Sequence, residues 1–384
     1  MTVAAPQRPR ILRVVSRMSI GGVQRGLLAT LARADRDRFD YHVLCYKKAG
    51  GWADQLAALN VPLHVRRTLP PWHPFKIFML SRLIRAIAPD LVHVQMAPTV
   101  IPAATAARLA GVRRIIIQHH NDYARHWESL NPLLRRWEFK LTREADAVMA
   151  VSGAVARCTE EHVGLPTGSV RVVPNGLELG RFLNAAPRDP RPEWGLAPET
   201  PLVAHVARYL PTKRIEDFIE AGSIVLGRWP EGRPKPVFVV IGGGDSGCER
   251  VYTQLIDKLG VGKNVLLVGG RHDVPQILPT VQVAALASEM EGFGQVILEY
   301  IAAGVPVAAT DLPCVAEMVA GGRDVLFSPA RRPDLLADNI ERLLNDPDLA
   351  RKLVESGRRR LSTYDWSAAV KAYENLYEEI LRKS

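Results

Sequence analysis

The sequence predicts an α/β protein of two Rossmann-like, doubly wound domains, each a parallel sheet covered by helices, the two facing across a cleft. Three observations lead there. Short apolar runs of strand length alternate with longer amphipathic stretches, the rhythm of parallel strands joined by crossover helices. The alternation breaks once, at Ala185-Ala-Pro-Arg-Asp-Pro-Arg-Pro-Glu-Trp-Gly-Leu-Ala-Pro-Glu-Thr-Pro201, which holds five prolines and no apolar period, and then restarts. A length of 384 residues suits two domains of ordinary size.

In the first half the strand candidates are 11–16, 41–45, 91–94, 114–118, 147–151 and 170–173, separated by amphipathic stretches at 24–34, 76–88 and 132–143. In the second half they are 202–207, 237–241, 265–268, 281–286, 305–308 and 325–327. The tail has Ala369, Tyr373, Leu376, Tyr377 and Ile380 at helical spacing. The expected division is therefore 1–184, a linker at 185–200, 201–365, and a last helix at 366–384. Ligands of doubly wound sheets sit beyond the strand C-termini, so those ends are where chemistry is sought.

Hydrophobic residues make up 47% of the chain and charged residues 23%, the balance of a soluble globular protein. The formal net charge of +10 favours anionic partners. No zinc finger, ribonucleoprotein motif or basic heptad supports nucleic acid as one of them. Cys45, Cys158, Cys248 and Cys314 are the four cysteines and form no Cys-x-x-Cys pair, which fits a reducing compartment without structural zinc. No window approaches 18 uninterrupted apolar residues, so neither a signal peptide nor a spanning helix is expected.

The most informative segment is 288–310. Glu291 and Glu299 are separated by seven residues, and Gly-Phe-Gly follows Glu291 directly. A carboxylate at a loop end accepts hydrogen bonds from sugar hydroxyls. A second, expected in the first turn of the next helix, does the same for a ribose. The glycine turn exposes backbone N–H groups at a helix N-terminus, where phosphate is favoured. Acidic residues at a helix start explain themselves through the dipole, but not this turn and spacing together. Arg208 and Lys213 bracket the loop after the first strand of the second half. Two cations at a helix start are unfavourable alone and useful beside a pyrophosphate.

Weaker signals lie elsewhere. Gly21 and Gly22 follow the first strand and allow a close backbone approach. His119 and His120 end another strand and would point to opposite faces, so only one faces a ligand. Gly242-Gly-Gly-Asp-Ser-Gly247 satisfies Gly-x-Gly-x-x-Gly, but Asn264-Val-Leu-Leu-Val-Gly-Gly carries no carboxylate where a dinucleotide site wants one. Asp35-Arg-Asp37 and Asp346-Pro-Asp348 match Asp-x-Asp yet sit in polar turns, where Asp caps helices. The basic aromatic stretches 66–85 and 133–141 have two readings: an anionic membrane surface, or core for Ile77, Leu80, Leu83 and Ile84.

Together these residues resemble the retaining glycosyltransferases of family 4, also called group 1, of GT-B fold. The matching pieces are Gly21-Gly22, His120-Asn121, Pro174-Asn-Gly176, Arg208 with Lys213, Gly242 to Gly244, Glu291-Gly-Phe-Gly with Glu299, and Glu317. The resemblance implies a nucleotide-sugar donor held by the C-terminal domain and a hydroxyl acceptor by the N-terminal domain. The acceptor would be a lipid-linked glycan, a polysaccharide or a small molecule. It also implies a last helix that returns to the first domain. Glu291 would bind donor-sugar hydroxyls and Glu299 the ribose. Arg208 and Lys213 would stabilise the pyrophosphate. The backbone of Phe293, Gly294, Gln295 and Val296 would face sugar and phosphate, and Gly21, Gly22 and Gly243 would line the donor. His120 would stand by the reacting carbon, with His119 as the fallback. Gln295-Val296 stands where Leu-Pro is common, and Gln282 where Asp is usual.

On this reading two cations and helix N–H groups replace a metal ion, and no cofactor is needed. The chain would work in the cytoplasm, at the inner membrane face if its acceptor is a lipid. A non-catalytic nucleotide-binding scaffold of the same fold, or a dinucleotide-dependent oxidoreductase, are the other readings.

Overall fold

The computed structural model describes residues 8–17, 22–48, 53–66, 74–244 and 246–383. The chain forms two compact units, Met1–Gly176 with Trp366–Ser384, and Leu177–Asp365.

The first unit holds β1 (Arg10–Arg17), β2 (Asp40–Lys48), β3 (Leu63–Val65), β4 (Leu91–Gln95), β5 (Arg114–His119), β6 (Ala147–Ala150) and β7 (Arg171–Val172). They lie in the order β3-β2-β1-β4-β5-β6-β7, every pair parallel. Side chains alternate along each strand. Ile11 and Val15 therefore join one core while Leu12 and Val14 join the other. The second core takes Ile77, Leu80 and Ile84 from the helix Pro74–Ile87, which settles the core reading for those residues. The first core takes Trp366, Tyr373 and Tyr377 from the tail helix Trp366–Arg382. A Cβ at Gly176 would stand 2.5 Å from Trp366 Cα, so only glycine lets the tail helix lie this close.

The second unit holds β8 (Leu202–Val206), β9 (Val237–Ile241), β10 (Val265–Leu267), β11 (Val283–Leu286), β12 (Val307–Thr310) and β13 (Leu326–Ser328). Their order is β10-β9-β8-β11-β12-β13, again all parallel. One face of this sheet packs a core that includes Phe218, Phe238, Ile219, Val240 and Val283, and the strand residues that alternate with these, such as Val239, Ile241, Ala284 and Leu286, are buried as well.

Two features depart from the sequence reading. The second unit begins at Leu177, not beyond 184, because the short helix Leu179–Leu183 packs against the helix Gln295–Ala303. The proline-rich stretch 185–200 is also an ordered part of this unit. Arg191 is buried and its guanidinium donates to Thr200 O at 2.8 Å, Thr280 O at 3.2 Å and Gln282 Oε1 at 3.1 Å. Gln282 Oε1 also accepts from the Leu202 N–H at 2.7 Å. A glutamine here thus anchors the start of β8, consistent with a packing role for its departure from Asp.

Candidate functional site

In the second unit β9 lies on one side of β8 and β11 on the other. This is where strand order reverses, the point beyond whose strand ends ligands of doubly wound sheets sit. The loops after β8 and β11 border it. They are tied by the Glu289 N–H donating to Thr212 O at 3.0 Å. Lys213 ends a single 3₁₀ turn, Pro211–Lys213. Its Nζ meets Glu291 Oε1 at 2.6 Å, and Ser288 Oγ donates to the same oxygen at 2.8 Å. Side-chain exposures of 19% for Lys213 and 12% for Glu291 mean that the pair is largely withdrawn from water, where charge–charge interaction is stronger. Arg208, in the same loop, is exposed and makes no hydrogen bond or ion pair among the described residues. Arg208 is thus an exposed cation, whereas Lys213 is held by a carboxylate.

Gly294 caps the helix Gln295–Ala303 in the left-handed region, φ 81°. A Cβ there would stand 2.9 Å from Val315 Cγ2, so both conformation and space demand glycine. No side chain caps this helix, and Gln295 and Val296 are half-exposed at its N-terminus. Phe293 is buried, with its ring packed edge-on to Tyr364 at a centroid distance of 5.8 Å. Glu299 is buried and is the fifth residue of the helix. It therefore lies in the second turn, not in the first as expected. The glycine run 242–244 lies against the β8 loop: the Tyr209 N–H donates to Gly243 O at 3.1 Å, and a Cβ on Gly242 would stand 1.8 Å from Ala207 O. The steric need falls on Gly242; a Cβ on Gly243 would come no nearer than 3.6 Å to Gly270 N.

In the first unit, register separates the two histidines. Ile116 shares a core with β1 Ile11, and Ile115 and Ile117 belong to the opposite face. By alternation Gln118 and His120 share the face of Ile116, and His119 the other. His119 is fully buried, edge-on to Tyr123 at 5.5 Å and Trp127 at 5.6 Å. It is a packed histidine whose two ring nitrogens have no hydrogen-bond partner among the described residues. His120 ends a relay: Gln118 Nε2 donates to Tyr373 OH at 2.8 Å, Gln95 Nε2 lies 3.3 Å from Gln118 Oε1, and the same nitrogen donates to His120 Nε2 at 3.2 Å. An accepting Nε2 places the ring proton on Nδ1, which has no partner among the described residues. Burial first, then the Arg13 cation, pushes the His120 pKa down to about 3, so the ring is neutral. Arg13 is itself buried, stacked over Tyr373 at 5.2 Å, with Nε and Nη1 unpartnered among the described residues.

Gly21 lies outside the described residues. Gly22 opens the helix Gly22–Arg33, and a Cβ there would meet nothing within 4 Å. Glu317 is exposed. Asp346 caps the helix Pro347–Arg358 by accepting from the Leu349 N–H at 2.9 Å, and Asp35 accepts from the Asp37 N–H at 2.9 Å in a turn. Both Asp-x-Asp motifs thus have structural work. Among the described residues no group of three or more His, Cys, Asp or Glu is placed to hold a metal ion.

Sequence reasoning missed Ser288, Arg13 and Gln95 as site residues. The signal for the last two was a polar residue at an inward position of a buried strand, which requires a stated partner.

A family model described as "Glycosyl transferases group 1" matches residues 188–360, and one described as "Glycosyltransferase Family 4" matches residues 20–181. A D-inositol 3-phosphate glycosyltransferase of Nocardiopsis dassonvillei is 30% identical over 247 residues, covering 63% of this chain and 58% of its own length. The chain thus spans less than two thirds of that relative. The UDP-Gal:alpha-D-GlcNAc-diphosphoundecaprenol alpha-1,3-galactosyltransferase of Escherichia coli is 27% identical over 315 residues, 79% of this chain and 77% of that protein. Among solved structures, Anabaena Alr3699/HepE in complex with UDP-glucose superposes with a TM-score of 0.82 at 21% identity, over 96% of this chain and 99% of that one.

Proposed function

The chain belongs to the glycosyltransferases of family 4, group 1, and from that premise we propose that it moves a sugar from a nucleotide-sugar to a hydroxyl acceptor, with retention of anomeric configuration and without a metal ion. The observation that carries this reading is the Lys213–Glu291 pair beside the glycine-capped helix N-terminus, where the second sheet reverses order. Diphosphate would sit on the amides of Gln295 and Val296 and between Arg208 and Lys213. Releasing Lys213 to phosphate frees Glu291 to accept hydroxyls of the sugar. Glu299, one turn further in, suits the ribose.

The bond from the sugar anomeric carbon to the phosphate oxygen breaks as negative charge grows on the leaving group. Two cations and helix amides stabilise that charge where it develops. The acceptor oxygen bonds the same carbon on the same face, and its proton passes to the departing phosphate oxygen. No protein nucleophile is used.

For the acceptor, a lipid-linked glycan is favoured. The E. coli relative's name specifies a diphosphoundecaprenol acceptor. Two helices of the first unit also present mixed apolar and basic faces. Phe75 and Phe78 are 54% and 51% exposed, and Leu133 is 77% exposed. Such faces bind anionic headgroups, which would place the enzyme on the cytoplasmic surface of a membrane. Among the described residues no helix is long and apolar enough to cross one.

The test is a thermal-shift panel of nucleoside diphosphates and nucleotide-sugars, UDP-sugars first, paired with a turnover assay. A ligand at 100 times its Kd adds about 2.7 kcal/mol of stability. Stabilisation with turnover of the donor is the expected result. Stabilisation without turnover would favour a scaffold, and a shift with dinucleotides alone an oxidoreductase.

A further inference from the structure

The parallel ladder between β8 and β11 stops early. Its register pairs Val203 with Val283 and Ala204 with Ala284, and goes no further. Extending that register would join the Val206 N–H to Ala285 O, the next rung of a parallel ladder. Instead the Tyr300 hydroxyl stands in that rung. It accepts from the Val206 N–H at 2.7 Å and lies 3.4 Å from Ala285 O, to which it donates. His205 completes the closure, with its Nδ1–H donating to Ala285 O at 2.8 Å and its ring stacked on Phe218 at 5.3 Å. Both side chains are fully buried, and the buried backbone groups that the ladder abandons are satisfied by side chains instead.

The location gives this arrangement a consequence. β8 and β11 flank the point where the sheet reverses order. The loop leaving β8 carries Arg208 and Lys213, and the loop leaving β11 carries Ser288 and Glu291. Whatever spaces the two strands there also spaces the cation from the carboxylate, 2.6 Å apart in this state. Tyr300 adds a second link. It follows Glu299 in the helix Gln295–Ala303, so the hydroxyl fixes that helix, and its N-terminal amides, to the strand ends.

We propose that Tyr300 and His205 are positioning residues for sugar transfer: their side chains form a hydrogen-bonded wedge that sets the β8–β11 spacing and thereby the geometry of Lys213 against Glu291. The proposal rests on the transfer reaction proposed above. Neither residue touches substrate. Tyr300 acts through β8 and the Gln295 helix, and His205 through Ala285.

The experiment is Tyr300→Phe, which keeps the ring and deletes the hydroxyl. Turnover of the nucleotide-sugar, calorimetric Kd for the nucleoside diphosphate and amide exchange at Val206 are measured together. The expected result is a kcat at least tenfold lower, a diphosphate Kd within about threefold of the parent, and faster exchange at Val206. Unchanged kcat with faster Val206 exchange overturns the proposal. Equal losses in kcat and Kd also overturn it, because they indicate general loosening of the unit.

Should Tyr300→Phe not fold, His205→Asn against His205→Phe decides. Asparagine keeps a donor for Ala285 O and should retain kcat within about threefold, whereas phenylalanine should lose at least tenfold; equal rates in the two sink the idea. An unmodified protein that turns over no nucleotide-sugar counts against the proposed function. The wedge itself then stands or falls on Val206 exchange, which must rise in the folded Tyr300→Phe variant or in His205→Phe.

Discussion

At the scale of single residues, two carboxylates of one segment have different surroundings, and so different expected failures. Glu291 is bonded by Lys213 and Ser288 at the loop end, whereas Glu299 is buried in the second turn of the next helix. Glu291→Gln should impair transfer while leaving diphosphate affinity nearly intact. Glu299→Gln should weaken diphosphate and intact donor alike, because a hydrogen bond to a charged group contributes roughly 1.5–3 kcal/mol, a tenfold or larger change in affinity. Calorimetry of both variants with both ligands checks this, and equal weakening of bare diphosphate would contradict the assignment. A second expectation concerns pH. Burial pushes His119 and His120 down to about 3 and His205 down to about 4. Below the ordinary histidine value near 6.5 the unfolded chain binds protons that the folded chain refuses, so stability is complete above that pH and falls as pH drops toward 4. Each such histidine removes up to about 1.4 kcal/mol per pH unit in that window. Urea midpoints should fall steadily between pH 6.5 and 5, and a flat profile would mean that these rings are hydrated.

At the scale of elements, strand–helix alternation was legible because buried parallel strands are short apolar runs and their helices are amphipathic. β3 escaped because Leu63–Val65 is three residues long and half-exposed, too short for a period to register. The segment 185–200 read as a bare linker because prolines mark irregular backbone but not its packing; the docking of Arg191 depends on partners far along the chain. Arg13 and Gln95 were hidden for a related reason: a polar residue inside an apolar run does not announce which helix will cover it. The stretch around residue 75 was only half legible. Ile77, Leu80 and Ile84 are core, and Lys76 is buried over the Tyr46 ring at 4.7 Å, so it cannot serve as a headgroup cation as the basic aromatic reading had it. Arg67 and Trp72 lie outside the described residues. What remains exposed is one face with Phe75, Phe78, Arg82 and Arg85, and another on the helix Pro132–Arg143 with Leu133, Arg136, Trp137 and Lys140. Binding to anionic vesicles should weaken as salt rises, and a Phe75→Ser, Phe78→Ser, Trp137→Ser variant should lose at least about tenfold in partition, since burying one aromatic contributes about 1.5–3 kcal/mol. Vesicle sedimentation decides, and undiminished binding by the variant would place the contact elsewhere.

At the scale of the whole molecule, the candidate residues fall in both units. The second unit carries Arg208, Lys213 and the glycine-capped helix, all suited to a diphosphate. The first carries a neutral histidine set by a relay of two glutamines and a tyrosine from the tail helix. The sequence motif singled out the residues of the first group, because cations and glycines in loops stand out. It located the second only as a pair of histidines, because the relay joins residues far apart in sequence. The central claim is that protein cations stabilise the leaving diphosphate in place of a metal. The direct measurement is the initial rate of transfer from a nucleotide-sugar in excess EDTA, for the parent and for the Arg208→Ala, Lys213→Ala double variant. The account expects the parent rate to be unchanged by chelator and the double variant to fall by at least about 10²–10³-fold, the scale for losing a single electrostatic donor. Loss of the parent rate in EDTA with recovery on adding Mg²⁺ or Mn²⁺, or a double variant as fast as the parent, would contradict it.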